Sequence, residues 1–435
     1  MTGERIMKRL SMLAMLALAA AAFPTMAHAA SQPFDVEQAT RAYLDLLGGP
    51  ARAKSDAYFE GGYWLLVWGT LVSVLSAYVL LYTGWAAGLR AATERVVRWR
   101  WLVPGVYAIP FTIVSALLTL PWTIYTDFVR EKQYGLMNQG FGDWMIDQGK
   151  ALLVAIVLSA FVFIILFAVI RRFRRSWWAL GAITMALFAA FGALIYPVYI
   201  APMFNSYTEM PAGPLRDRIV TMAQANHIPA QHIYVSDASR QSKRISANVS
   251  GLGPTIRITL NDNLLKRTGP DEVAAVMGHE MGHYVLGHIP RSIGLITIIF
   301  LLIFFAIARI APAMIARHPR WGIRDIADPA AITVLVLLAS VGTLILNPAL
   351  KTITRVSESE ADRFGLDAAR EPDGFAKTAM RLSEYRKIEP GPWEEALFFD
   401  HPSGATRVRM AMQWKKDHVP GATMVKPDIK LDGTQ

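Results

Sequence analysis

The sequence predicts an α-helical polytopic membrane protein with a small α+β portion outside the bilayer, and three observations carry the prediction. Of the 435 residues, 53% are hydrophobic and only 18% are charged, with a mean hydropathy of +0.30. Six apolar segments recur at the length a bilayer-spanning helix needs. Between and after them lie stretches of soluble composition with helix and strand patterning. The formal charge of +10 would suit a nucleic-acid binder, but much of the excess arginine sits in short loops between apolar segments, where membrane orientation explains it. No nucleic-acid partner is expected. The absence of cysteine excludes disulfides, thiolate zinc sites and a thiol nucleophile, and leaves histidine and carboxylate as metal ligands.

In chain order, Lys8 and Arg9 precede an apolar run over 10–23 and then Ala27-His28-Ala29, the layout of a secretory signal peptide, with an uncleaved anchor as the alternative. Residues 36–47 have the pattern of a short amphipathic helix. The apolar segments cover 62–86, 101–125, 151–170, 177–199, 293–315 and 330–350. The connection after the first holds Arg90, Arg95, Arg98 and Arg100, that after the third runs Arg171 to Arg175, and that after the fifth holds Arg317, Arg320 and Arg324. The short loop on the opposite side carries only Arg130, Lys132 and Lys150. The positive-inside rule therefore puts the arginine loops in the cytoplasm, and the soluble stretches on the periplasmic face of a bacterial inner membrane. Arg309, inside the fifth segment but near its cytoplasmic end, can snorkel to the interface.

These readings divide the chain into a leader (1–29), an extramembrane segment (30–61), four spans (62–199), a first soluble piece (200–291), two spans (292–350), a second soluble piece (351–415) and a tail (416–435) that reads as extended. The first soluble piece shows a helical pattern over 213–225 and strands over 233–235 and 255–260. Each piece is small for a domain, so the two are expected to pack together against the bundle.

The chemistry concentrates between Thr268 and His288. Thr268 or Gly269 suits an N-cap, Pro270 the first helical position, and Asp271 and Glu272 the positive end of the macrodipole. On that helix His279 and His283, four apart, share a face and can hold one Zn²⁺, with Glu280 beside them as general base. The pentapeptide alone also fits a pair of interfacial histidines. A catalytic zinc needs a third protein ligand. The metzincin spacing fails, since Leu286 and Ile289 stand where it needs glycine and histidine, and His288 is misplaced. Glu358 is the candidate, with Asp362 four residues on to accept the second ring N–H of a ligand histidine; Glu360 points elsewhere, and a solvated acidic helix is the alternative.

HEMGH, with Thr354-Arg355-Val356-Ser357-Glu358 and Ala361-Asp362, resembles the HExxH and SRxxExxAD signatures of the type I CAAX prenyl endopeptidases and their bacterial relatives. The resemblance extends through Leu120-Pro121 to Asn138, Ile195-Tyr196-Pro197, Phe204-Asn205, Asp237, Ser239, Asn248 and Gly251, and His401-Pro402-Ser403 with Arg407. It implies a ring of transmembrane helices enclosing a water-filled chamber, capped by a gluzincin-type zinc metallopeptidase domain. It also implies one Zn²⁺ on His279, His283 and Glu358, Glu280 as base and Asp362 as orienter. His401 and Arg407 would face the cleft, one or both stabilising the oxyanion, and Asn248 would help hold a substrate strand. Eukaryotic members have seven spans and open to the cytosol, whereas the arginine loops here argue for six mature spans and an outward-facing site. The expected function is endoproteolysis of membrane-associated or envelope proteins. The alternatives are an inactive, zinc-stabilised scaffold and a transporter, the latter disfavoured because the spans carry almost no ionisable residues.

Overall fold

The computed structural model describes residues 34–229, 232–251, 256–424 and 426–431; the expected leader lies outside them. The chain opens with α1 (Val36–Leu44), where the Asp35 carboxylate accepts from the Glu37 and Gln38 amides. It continues through α2 (Gly49–Tyr82), α3 (Trp85–Val96) and α4 (Val103–Ile124). One π-helical turn, Tyr125–Val129, joins α4 to α5 (Arg130–Gln133). Then come α6 (Phe141–Arg172) and α7 (Trp177–Ile195), the latter ending in a second π-helical turn, Tyr196–Ile200. The soluble elements that follow are β1 (Tyr207–Glu209), α8 (Pro214–Ala225), β2 (Ile233–Ser236), β3 (Ala247–Ser250), β4 (Arg257–Asn261), α9 (Asp262–Arg267) and α10 (Pro270–Val285). Two more long helices, α11 (His288–Arg317) and α12 (Ile332–Ala369), precede α13 (Pro372–Leu382), α14 (Pro392–Phe398) and α15 (Gly404–His418).

Among the described residues six helices are long and apolar enough to cross a membrane, and the protein is multi-pass. Each of α2, α4, α6, α7, α11 and α12 packs on the next in that order, and α12 returns to α2. The cycle closes into a ring around a chamber. Only 17 to 39% of each apolar window is buried, because a ring leaves every helix both an outer and an inner face. The densest apolar packing, with Leu81, Tyr107, Ile170, Trp177 and Trp321, lies toward the arginine loops.

At that end the three arginine-bearing connections meet. Asp328 accepts from Arg90 Nη1 at 2.5 Å and from Arg324 Nε at 3.1 Å, Arg324 also reaches Glu94, and Arg174 lies 3.2 Å from Asp325. The loops grouped by charge pattern thus share one end of the bundle. Arg309 lies over the Phe305 ring, its Cζ 4.9 Å from the centroid.

The helices run past the expected spans. α2 begins at Gly49 because its polar first turns continue as a helix outside the hydrocarbon, where Ser55 Oγ donates to Ser383 O at 2.6 Å. The boundary expected at 350/351 is no break at all: α12 is a single 38-residue helix that carries the last span and then Glu358 and Asp362. The sheet has four strands in the order β1-β2-β4-β3, with only the β2/β4 pair parallel. Ala247, Val249, Ile258 and Leu260 pack with Met277 and Met281 of α10, while Asn248 and Ser250 alternate to the other face. The two expected strands are β2 and β4; β1 and β3, of three and four residues, are too short to show a period. The tail also departs from expectation. α15 reaches His418, and Leu431, 4% exposed, closes an apolar cluster with Phe34 and Tyr43 of the N-terminal segment and Met412 of α15.

Candidate metal centre

The centre is built where α10 crosses α12. Gly269 caps α10, its N–H donating to Glu272 Oε2 at 2.9 Å. The crossing is close because both helices present almost no side chain there. A Cβ on Gly278 would meet Gly365 O at 2.8 Å, one on Gly282 would meet Ala361 Cα at 3.1 Å, and one on Gly365 would meet His279 N at 2.7 Å. Within GHEMGH the glycines therefore seat the helix, and the histidines beside them are carried against α12. Glu358 and Asp362, one turn apart, face them.

His279, His283 and Glu358 each offer a ligand atom, and the three lie within 4.8 Å of one another. The Nε2 atoms of the two histidines are 3.1 Å apart. Glu358 lies 3.2 Å from the first and 3.4 Å from the second. Glu358 Oε2 is buried and has no hydrogen-bond partner, although His279 Nε2 and His401 Nε2 both come within 3.2 Å of it. A buried carboxylate with one unpartnered oxygen, set against the converging Nε2 atoms of His279 and His283, is the donor set a zinc ion satisfies. The residues fit the metal.

Both ring Nδ1 atoms are engaged from behind. His279 Nδ1 lies 2.8 Å from Asp362 Oδ1, which also accepts from Arg407 at 2.5 Å. Burial works against a proton on His279, but Asp362 and Glu358 outweigh it and raise its pKa to about 10; the site's field favours positive charge at that nitrogen. His283 Nδ1 lies 2.9 Å from His288 Nδ1, and His288 Nε2 reaches Glu360 at 3.1 Å. Glu360 in turn pairs with Arg291 at 2.7 Å. With Nδ1 donating on both ligands, each Nε2 keeps its lone pair for a cation.

A cleft of about 160 Å³ opens beside the cluster, lined by Glu280, His401, Arg407, Arg386 and the start of β3. Burial raises the Glu280 pKa and lowers that of His401, whose Nδ1 is held 2.8 Å from Asp400. Arg407 sits in the cleft wall with one nitrogen committed to Asp362 and its Nε without a partner. Asn248 is not brought to this cleft. It lies on the edge strand β3 and faces a separate cavity on the far side of the sheet.

Sequence reasoning missed the partners that hold the cluster. Arg355, one turn before Glu358, donates to the carbonyls of Glu395, Ala396 and Phe399 at 3.0, 3.3 and 2.6 Å, closing the C-terminal end of α14. Lys351 pairs with Asp400 at 2.7 Å. The helix that carries Glu358 thereby fixes the loop that carries His401. Arg355 stood in the SRxxExxAD-like stretch without a role, and Lys351 was signalled only by its i, i+7 spacing from Glu358 on one helix face. Arg386, a cleft-lining cation disfavoured by its burial and by Arg407, carried none.

Residues 209–415 match the model of peptidase family M48, and residues 50–206 match that of the CAAX prenyl protease N-terminal region, described as five membrane helices. An uncharacterized metalloprotease of Bacillus subtilis is 25% identical, over 77% of this chain and 79% of its own. The human CAAX prenyl protease 1 homolog is 26% identical, over 72% and 74%. In fold, the crystal structure of S. mikatae Ste24p superposes with a TM-score of 0.70 at 20% identity, covering 87% of this chain and 95% of that one.

Proposed function

The chain belongs to peptidase family M48 and is a multi-pass membrane metalloendopeptidase, and on that premise we propose that it binds one Zn²⁺ through His279, His283 and Glu358 and hydrolyses peptide bonds with Glu280 as general base. The observation that carries the reading is the convergence of both histidine Nε2 atoms, 3.1 Å apart, on the Glu358 carboxylate, His279 toward the unpartnered Oε2 and His283 toward Oε1, at the mouth of a cleft that Glu280 lines. Bound there, zinc supplies a Lewis acid that polarises the scissile carbonyl and activates the attacking water. Glu280 takes that water's proton and passes it to the leaving amine; its raised pKa suits it to hold the proton between the two steps.

Asp362 and His288 orient the two imidazoles, and Arg407 keeps Asp362 ionised and in place. Arg407, with its Nε still free, and His401, held through Asp400, both line the cleft where the oxyanion would develop; His401 can donate there through Nε2 only as the imidazolium. A peptide added along the free edge of β3 would be gripped by main-chain hydrogen bonds, with Asn248 beside it. The arginine loops and the site lie at opposite ends of the bundle, which under the positive-inside rule supports a site facing the periplasm. The substrates are then membrane-associated or envelope proteins, whether or not they carry the prenyl group that the relatives' names describe. Glu280→Gln tests the chemistry: zinc content should stay at one per chain while cleavage of a reporter polypeptide is lost. Normal turnover by that variant would sink the mechanism.

A further inference from the structure

On the face of the sheet turned away from α10 lies a second cavity, of about 540 Å³, between β3 and β4, the middle of α6 and the end of α7. Its floor is polar. Ser250 and Arg257 are register partners across β3 and β4, and each turns a buried, unpartnered atom to this space: Ser250 Oγ and Arg257 Nε. Among the described residues no carboxylate pairs with Arg257, which is flanked only by the rings of Tyr207 and Tyr234, 5.2 and 5.7 Å from its Cζ. Two orphaned donors, one of them cationic, side by side on one floor call for an anionic oxygen.

The opposite wall is apolar and belongs to the membrane helices, through Leu158 of α6, Gly192 and Ala193 of α7, and Ile200 of the π-helical turn. A side chain built on Gly192 would meet nothing within 4 Å, so the apolar wall leaves open space beside that residue. Tyr196 and Tyr207 line the cavity where an interfacial aromatic belt would sit. π-helical turns recur at ligand sites, where their wider backbone makes room.

We propose that this cavity binds a membrane phospholipid, its phosphate oxygens accepting from Arg257 and Ser250 and an acyl chain lying along Gly192. A peptide carboxylate would satisfy the same donors but leave the apolar wall of two membrane helices unused. The site is separate from the catalytic cleft and does not depend on the function proposed for it.

The test is a titration of the full chain in detergent, read by native mass spectrometry, with dioleoylphosphatidylglycerol and with dioleoylglycerol, which has the same chains and no phosphate. The phospholipid should bind about tenfold or more tightly than the diacylglycerol, and Arg257→Gln should erase the difference, as the loss of a charge-assisted hydrogen bond requires. Gly192→Leu, which leaves the floor intact, should weaken both lipids. Equal binding of the two lipids, or an unchanged preference in both Arg257→Gln and Ser250→Ala, would overturn the proposal. So would a KM increase in Arg257→Gln confined to peptides bearing an acidic residue, measured in lipid-free detergent, since the cavity would then be a peptide subsite.

Discussion

Gly365 lies two turns beyond Glu358, outside both histidine and carboxylate motifs, yet the geometry makes it a determinant of metal binding. In Gly365→Ala the new Cβ would stand 2.7 Å from His279 N and 2.9 Å from His279 Cα, against the 3.4 Å at which ordinary contact begins. Both atoms are on the helical backbone, so no side chain can rotate aside. α10 and α12 must separate locally by about 0.7 Å, the difference between those distances, whereas ligand distances in a metal site tolerate only about 0.2 Å. His279 and Glu358 sit on opposite sides of that gap. Overpacking of this kind costs about 1–3 kcal/mol of stability, and zinc affinity should fall about 10- to 100-fold, as when ligand support is lost. The assay is zinc content by plasma mass spectrometry after dialysis against a graded chelator, with thermal unfolding in parallel. Gly149→Ala, where a Cβ meets nothing within 4 Å, is the control. Full zinc retention and an unshifted Tm in Gly365→Ala would refute the claim that the glycine crossing sets the ligand geometry.

Four further outcomes follow from the same contacts. Arg407→Met leaves the fully buried Asp362 carboxylate with His279 as its one remaining charged or polar side-chain partner among the described residues and should cost about 3–5 kcal/mol, seen in denaturant unfolding. His288→Ala removes the partner of His283 Nδ1 and should weaken zinc about 10-fold or more while leaving the fold intact, read by chelator competition. Arg355→Gln, which frees the α14 carbonyls, should lower kcat with zinc content unchanged, because His401 loses its fixed position. In the cysteine-free background, Lys243→Cys, exposed near β3, should label with an impermeant maleimide in cells whose outer barrier is permeabilised, and Ala92→Cys, exposed at the arginine end, should not. The reverse pattern would move the site to the cytosol.

What the sequence showed was local. Asp271, Glu272 and Pro270 announce α10 because caps and dipoles act within one turn, and Glu358 and Asp362 share a face because both obey the helical period. The six spans are legible because hydrocarbon demands apolar length. Their ends are not, since a helix such as α2 or α12 continues wherever its polar turns find partners, here Ser383 for Ser55 and Phe399 for Arg355. The supporting chain through His288, Glu360 and Arg291 was hidden for a different reason. His288 was weighed only as a ligand and set aside, while its contact with His283 depends on the bend at Gly287, a left-handed residue with φ 64° between α10 and α11. β3 and β1 depend on pairing across long sequence separations and leave no pattern of their own.

α1 docks on elements made late in the chain. Tyr43 donates to Asp373 at 2.8 Å, and its neighbours Ala39 and Leu44 are buried with Phe375 of α13 and Val408 of α15. The earliest described segment to leave the ribosome is therefore completed by some of the last. Between them six spans must insert, and two of the proposed metal ligands on α10 wait for Glu358, 75 positions after His283, to arrive. An emerging chain thus carries an unfinished site until α12, the loop with His401 and α15 have been made. Membrane insertion and enzyme assembly become one event, and a truncated or half-inserted copy has no cutting edge to turn on its neighbours.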